Sequence, residues 1–154
     1  MNVVSSEHSR RDALRLAGLA TLALIVTSGR ADATPDEVAS AIAKLYGDKK
    51  FESGKIKLDV PEIAENGLVV PINLEVESPM TDADHVKAVH VFAEGNPLPN
   101  VISYKFTPAC GKAAASARMR LAQTQNIVCI AEMSNGNLYK ATATIKVTIG
   151  GCGG

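Results

Sequence analysis

From Lys55 to Ile149 the chain is a succession of short apolar runs separated by turn-forming residues, with no helical periodicity between them. Seven strands are expected: Lys55 to Ile63, Leu68 to Glu77, Val86 to Ala93, Val101 to Phe106, Ala115 to Leu121, Ile127 to Met133 and Leu138 to Ile149. The breaks between them are Glu65-Asn66-Gly67, Glu94-Gly95-Asn96-Pro97, Ser134-Asn135-Gly136-Asn137 and similar stretches, rich in residues that set turn dihedrals. Apolar positions recur every second residue in Ile56-Lys57-Leu58-Asp59-Val60 and in Ala143 to Ile149, the pattern of strands with one face buried. Strands that follow one another without crossover helices pair antiparallel, and seven half-buried ones need two packed sheets. The expected class is therefore all-β, an immunoglobulin-like antiparallel β-sandwich.

One run breaks the alternation. Ile127-Val128-Cys129-Ile130-Ala131 is apolar on both faces and needs cover on both, from a helix or from a second subunit. A helix is available upstream. Thr34-Pro35-Asp36-Glu37 is a capping box with proline in the first helical turn, Val38, Ala41, Ile42 and Leu45 share one face, and Gly47 supplies the stop. A short amphipathic helix is expected there, and it is the favoured cover.

Residues 1–33 read as an export signal. Ser9-Arg10-Arg11-Asp12 has the twin-arginine arrangement, the apolar run from Leu16 to Val26 is too short to span a bilayer, and Ala31-Asp32-Ala33 is a small-x-small cleavage pattern. The mature chain is expected to start at Thr34, with residues 34–149 as one domain and 150–154 as a separate arm. Removing residues 1–33 takes 4 of 16 basic and 3 of 16 acidic side chains, leaving 12 and 13. Such a chain has no basic field for nucleic acid and no later run of membrane-spanning length, so the expected product is periplasmic, with no membrane contact after signal cleavage. The twin-arginine route exports folded chains, and a small protein without a metal motif gains from it chiefly by carrying out a partner that has no signal.

Catalytic groupings are hard to assemble. His85 and His90 are five apart on an expected strand, hence on opposite faces and unable to share a metal. His90 falls on a face with Val86, Ala88 and Phe92 and reads as a buried or interfacial histidine. The pairs Glu75/Glu77 and Asp82/Asp84 fit solvated faces and turns, and Lys112, Arg118 and Arg120 read as a small anion patch or as solubilising charge. No catalytic residue, metal site or cofactor is expected.

The three cysteines remain. Cys110 and Cys129 leave two readings open, one disulfide or two unbridged thiols; a hairpin near Gln123 to Gln125 would set Cys129 across from about Met119, so direct pairing with Cys110 needs a different neighbouring strand or loop. Cys152 lies in Gly150-Gly151-Cys152-Gly153-Gly154, where glycine removes every neighbouring side chain and leaves a narrow, pliant segment. It sits about 10 Å beyond the last expected strand, a geometry suited to insertion into another protein's deep active site. An ordinary thiol of pKa near 8.5 is only a few per cent thiolate at neutral pH, and no basic residue flanks this one. The arm reads as a passive handle activated by the enzymes that receive it. Rival roles are weaker: carboxylate conjugation through Gly-Gly needs ATP, a glycine arm is a poor disulfide staple between subunits, and one sulfur is an incomplete soft-metal site.

Together, the twin-arginine signal, the small β-rich domain, Ala131-Glu132-Met133-Ser134 with Tyr139, and Lys146-Val147-Thr148-Ile149 leading to the Gly-Gly-Cys-Gly-Gly motif resemble the SoxY family. This is the carrier subunit of the SoxYZ complex of periplasmic thiosulfate oxidation. The resemblance implies a covalent carrier rather than an enzyme, with sulfur intermediates held on Cys152. It also implies a SoxZ-like β-sandwich partner in a heterodimer. Transient contacts follow with a SoxXA-type c-type cytochrome that couples thiosulfate to the thiol, a SoxB-type hydrolase that releases sulfate and, where present, a molybdenum-containing SoxCD-type sulfane dehydrogenase. Cys110 and Cys129 fall outside the family's functional motif.

Overall fold

The computed structural model describes residues 33–150; the twin-arginine pattern, the apolar run and residues 151–154 lie outside that range. One helix and eight strands follow in order: α1 (Pro35–Tyr46), β1 (Ile56–Asp59), β2 (Ile63–Asn66), β3 (Val70–Val76), β4 (Val86–Ala93), β5 (Asn100–Lys105), β6 (Ala113–Met119), β7 (Gln125–Met133) and β8 (Leu138–Ile149). They form a sandwich of a three-stranded sheet, order β1-β3-β6, on a five-stranded sheet, order β2-β8-β7-β4-β5.

Eight strands appear where seven are expected because Lys55 to Ile63 is two elements. Pro61 has no amide hydrogen to give a ladder, so the chain leaves the small sheet after Asp59 and joins the large one at Ile63. It arrives beside β8 in the same direction, and β2–β8 is a parallel pair in an otherwise antiparallel sandwich. Pro71 is tolerated inside β3 because β1 pairs only with Asn73 to Val76, which leaves the proline facing no strand on that side. The expected hairpin between the strands ending at Leu121 and starting near Ile127 does not form. β6 pairs with β3 and β7 with β4 and β8, so residues 120–124 cross from one sheet to the other.

Between the sheets lies a core built by alternation. Val70, Ile72, Leu74 and Val76 of β3 face Val89, Val91 and Ala93 of β4 and Ile127, Cys129, Ala131 and Met133 of β7, all buried. The other face of β7 presents Val128 and Ile130, which with Phe92 and Leu138 form a second cluster under α1. The doubly apolar run is thus covered by a sheet on one side and by the helix on the other.

Helix α1 starts as its sequence dictates. Thr34 Oγ1 accepts from the Glu37 amide at 3.3 Å, Glu37 Oε2 accepts from the Thr34 amide at 3.1 Å, and the Gly47 amide closes on the Ala43 carbonyl at 2.8 Å. Its buried stripe is Val38, Ile42 and Tyr46, spaced by four, whereas Leu45 is 52% exposed. Tyr46 replaces Leu45 because its ring packs edge-on against Phe51 and His90, each with centroids 6.1 Å away. Ile42→Ala should therefore cost about 2–4 kcal/mol of unfolding free energy, and Leu45→Ala under about 0.5 kcal/mol, in denaturant titrations. Equal costs would mean that the helix buries the face expected from sequence rather than the one observed.

Candidate functional site

Of the residues assigned to the arm, Gly150 is described, while Gly151, Cys152, Gly153 and Gly154 lie outside the described residues. What the structure defines is the root from which they leave. β8 is fastened to its end on both sides. Thr148 Oγ1 donates to the Glu65 carbonyl at 2.8 Å, the Val147 amide donates to Thr124 Oγ1 at 2.9 Å, and the Gly67 amide donates to the Ile149 carbonyl at 2.7 Å. The Gly67 carbonyl then accepts from the amide of Leu121, a fully buried residue, at 2.8 Å. The last strand carbonyl is so connected to the core in two steps.

Gly150 lies against the backbone of the 120–124 crossover. A β-carbon at this position would overlap the Ala122 carbonyl oxygen, and a backbone atom cannot rotate aside as a side chain would. Glycine is needed here for close approach rather than for freedom of dihedral. Ala122 is itself held. Asn96 Oδ1 accepts from the Ala122 amide and from Gln125 Nε2, both at 3.0 Å, and Asn96 Nδ2 donates to the Arg120 carbonyl at 2.8 Å. Gln125 Oε1 accepts from the Gly95 amide at 2.7 Å. Asn96 and Gln125 are the two buried polar side chains of the described fold, each only 7% exposed, and between them they bond the Ala122 amide and the Arg120 and Gln123 carbonyls behind the seat of Gly150. Leu68, Val69 and Ile149 leave apolar surface exposed beside it.

The sequence marks Gly67 and Gly95-Asn96 only as turns, and Gln125 and Ala122 carry no signal. Their roles come from the crossover of residues 120–124, which a hairpin reading of that segment hides.

The other candidates do not converge. Cys110 ends a 3-10 turn (Pro108–Cys110), is exposed, and has its sulfur 3.8 Å from Thr107 Oγ1. Cys129 is fully buried in mid-β7, opposite Val91 and Ala141 rather than Met119. The two are free thiols, so the disulfide left open by the sequence is not made. Burial pushes the Cys129 thiol up to about 12, which keeps it protonated and unreactive at neutral pH.

His85 precedes β4 with its ring bonded to the Thr81 carbonyl at 3.0 Å, while His90 lies beneath α1 with Nδ1 2.8 Å from Ser103 Oγ. Burial lowers the pKa of His90, with Lys105 acting in the same direction and Glu132 opposing. Lys112 pairs with Glu75 at 3.0 Å, and Lys112 and Arg118 stand near opposite ends of β6, so they do not form one anion patch. Among the described residues no cluster of three or more His, Cys, Asp or Glu side chains could hold a metal ion.

The three thiols should separate by alkylation. Iodoacetamide on the native protein is expected to label Cys110 and Cys152 and to spare Cys129 until denaturant is added, as read by peptide mass mapping. Native labelling of Cys129 at the rate of Cys110 would contradict its burial.

No curated protein matches the chain at a significant level. Among solved structures, the sulfur carrier protein SoxY from Chlorobium limicola f thiosulfatophilum is 32% identical, with 75% of this chain covering 100% of that one at a TM-score of 0.63. The superoxide reductase (neelaredoxin) from Ignicoccus hospitalis, 20% identical over 75% of this chain and 94% of its own at a TM-score of 0.56, shares the fold alone. The profile described as sulfur oxidation protein SoxY matches residues 42–152, from within α1 to the arm cysteine. The chain belongs to the SoxY family of sulfur oxidation proteins.

Proposed function

We propose that this chain is a periplasmic covalent sulfur carrier that holds thiosulfate-derived intermediates on Cys152 and presents them to partner enzymes. The observation that carries the reading is the braced seat of Gly150 immediately before Gly151 and Cys152, within a family match that extends to Cys152 itself. A rigid root with a side-chain-free segment beyond it offers a thiol to a narrow cavity while the domain stays outside. The apolar surface of Leu68, Val69 and Ile149 beside the root is suited to transient contact with the rim of such a cavity.

The chemistry is supplied from outside. The Cys152 thiolate and the outer sulfur of thiosulfate form an S–S bond, giving a cysteine S-thiosulfonate, and the two electrons released pass to a c-type cytochrome. Water then attacks the sulfonate sulfur under a hydrolase, freeing sulfate and leaving a persulfide on Cys152. A sulfane dehydrogenase, where present, oxidises the outer sulfur to a sulfonate, with three oxygens taken from water and six electrons passed through the dehydrogenase to a cytochrome acceptor, before a second hydrolysis frees sulfate and restores the thiol. The chain contributes no acid, base or metal to these steps, only placement. A SoxZ-like β-sandwich subunit is its partner in the exported heterodimer, and the twin-arginine signal carries both.

Intact mass with peptide mapping of the protein purified from its own periplasm, before and after a reductant, tests the reading. Thiosulfonate or persulfide mass on Cys152, removable by reductant and lost in Cys152→Ser, is expected, together with a second small chain. Cys152 found only as a disulfide between two copies would favour a structural role instead.

The seat makes its own prediction. Gly150→Ala should lower unfolding free energy by about 1–3 kcal/mol, because the Ala122 carbonyl must shift against its bonds, whereas Gly153→Ala should change it by under about 0.5 kcal/mol. Thermal unfolding of the two variants decides, and equal stabilities would place Gly150 in the free arm.

A further inference from the structure

The start of the domain is tied to the same polar brace. The Ala33 amide donates to the Asn96 carbonyl at 2.6 Å, and Ala33 is 2% exposed. Asn96 is the residue whose side chain fixes Ala122 and Arg120 behind the seat of Gly150. Ala33 is therefore part of the fold, one residue ahead of the helix N-cap. Thr34 follows with its own amide engaged, donating to Glu37 Oε2 at 3.1 Å in the capping box.

Cleavage between Ala33 and Thr34 would undo this arrangement. It would remove a buried residue and its hydrogen bond, leaving the Asn96 carbonyl without that partner. It would also turn the Thr34 amide into an ammonium at the positive end of the helix dipole, a repulsion that Glu37 offsets only in part. A peptidase acting after folding would further have to draw Ala33 out of its buried position to reach the bond.

A second small-x-small pattern stands two residues upstream, Gly29-Arg30-Ala31, and a cut after it retains Ala33. Resting on the export reading above, we infer that signal removal occurs at the Ala31–Asp32 bond, so that the mature chain begins at Asp32 and keeps Ala33 as a structural residue. In this hydrolysis water gives its hydroxyl to the Ala31 carboxyl and its hydrogen to the Asp32 amine, and the catalyst is a signal peptidase. The inference assigns Ala31 to the position before the cut and Gly29 to the position two residues further upstream.

The test is intact mass and N-terminal sequencing of the full-length chain expressed with its partner in a Gram-negative host with a working twin-arginine pathway. The periplasmic product is expected to begin at Asp32. Gly29→Leu replaces the small residue two positions before Ala31, outside the described residues, and should abolish processing, leaving precursor that begins at Met1. A wild-type product beginning at Thr34 would overturn the inference while leaving export intact. So would unchanged processing of Gly29→Leu. A wild-type chain that stays uncut and outside the periplasm would instead remove the export reading, and this inference with it.

Discussion

Strand β7 has to be dry on both faces, and most of the architecture follows from that need. Ile127, Cys129 and Ala131 face the small sheet, and Val128 and Ile130 face α1. A strand of this kind cannot lie at a sheet edge, and it is flanked by β8 and β4 over most of its length. Covering its second face requires α1 to cross the large sheet, which in turn makes the capping box at Thr34 a determinant of the core rather than a local detail. Burying a Val- or Ile-sized side chain is worth about 1.5–3 kcal/mol, so the cluster beneath the helix is large enough to hold a 12-residue helix that would be marginal alone.

The polar brace answers a different demand. Backbone that crosses between two sheets leaves its ladder partners behind, and residues 120–124 would bring unpaired amides and carbonyls close to the core. Asn96 and Gln125 replace the missing ladder with side-chain bonds, meeting the Ala122 amide and the Arg120 and Gln123 carbonyls. A fully satisfied buried network of this sort is rigid, because each bond that loosens exposes a desolvated group. The rigidity is passed to β8 through Gly67, Leu121 and Thr124. The root of the arm is thus held by the same bonds that the sandwich needs for its crossover.

Elements encoded by local rules were legible in the sequence. The helix limits follow from Thr34, Glu37 and Gly47, and β4 and β8 follow from alternation bounded by turns. Where packing between distant segments decides, sequence patterns fell short. Leu45 and Tyr46 both lie near the apolar face of α1, and the aromatic contacts with Phe51 and His90 select Tyr46. Strand pairing was misread around Gln123 because a short polar connection serves a hairpin and a crossover equally well. The buried Asn96 looked like an ordinary turn residue, since nothing in a sequence marks a turn that lies against the core. Cys152 is the opposite case: it is singled out by its glycine neighbours alone, and it lies outside the described residues.

A carrier thiol must also avoid the other thiols of its own chain, because a persulfide or thiosulfonate exchanges with any thiolate it meets. Cys129 is removed from that exchange by burial, which both closes access and keeps it protonated. Cys110 is exposed and has to be excluded by distance. It precedes β6, whereas the seat of Gly150 lies just beyond the other end of that seven-residue strand, about 20 Å away at the rise of an extended chain. With Gly150 seated, Cys152 is two residues from its pivot and extends only about 7 Å. A longer free segment would reach more widely but would bring its cargo nearer to Cys110. Under the proposed function, seating the first glycine limits Cys152 to targets brought to it and keeps sulfur held there away from Cys110, the one exposed thiol among the described residues.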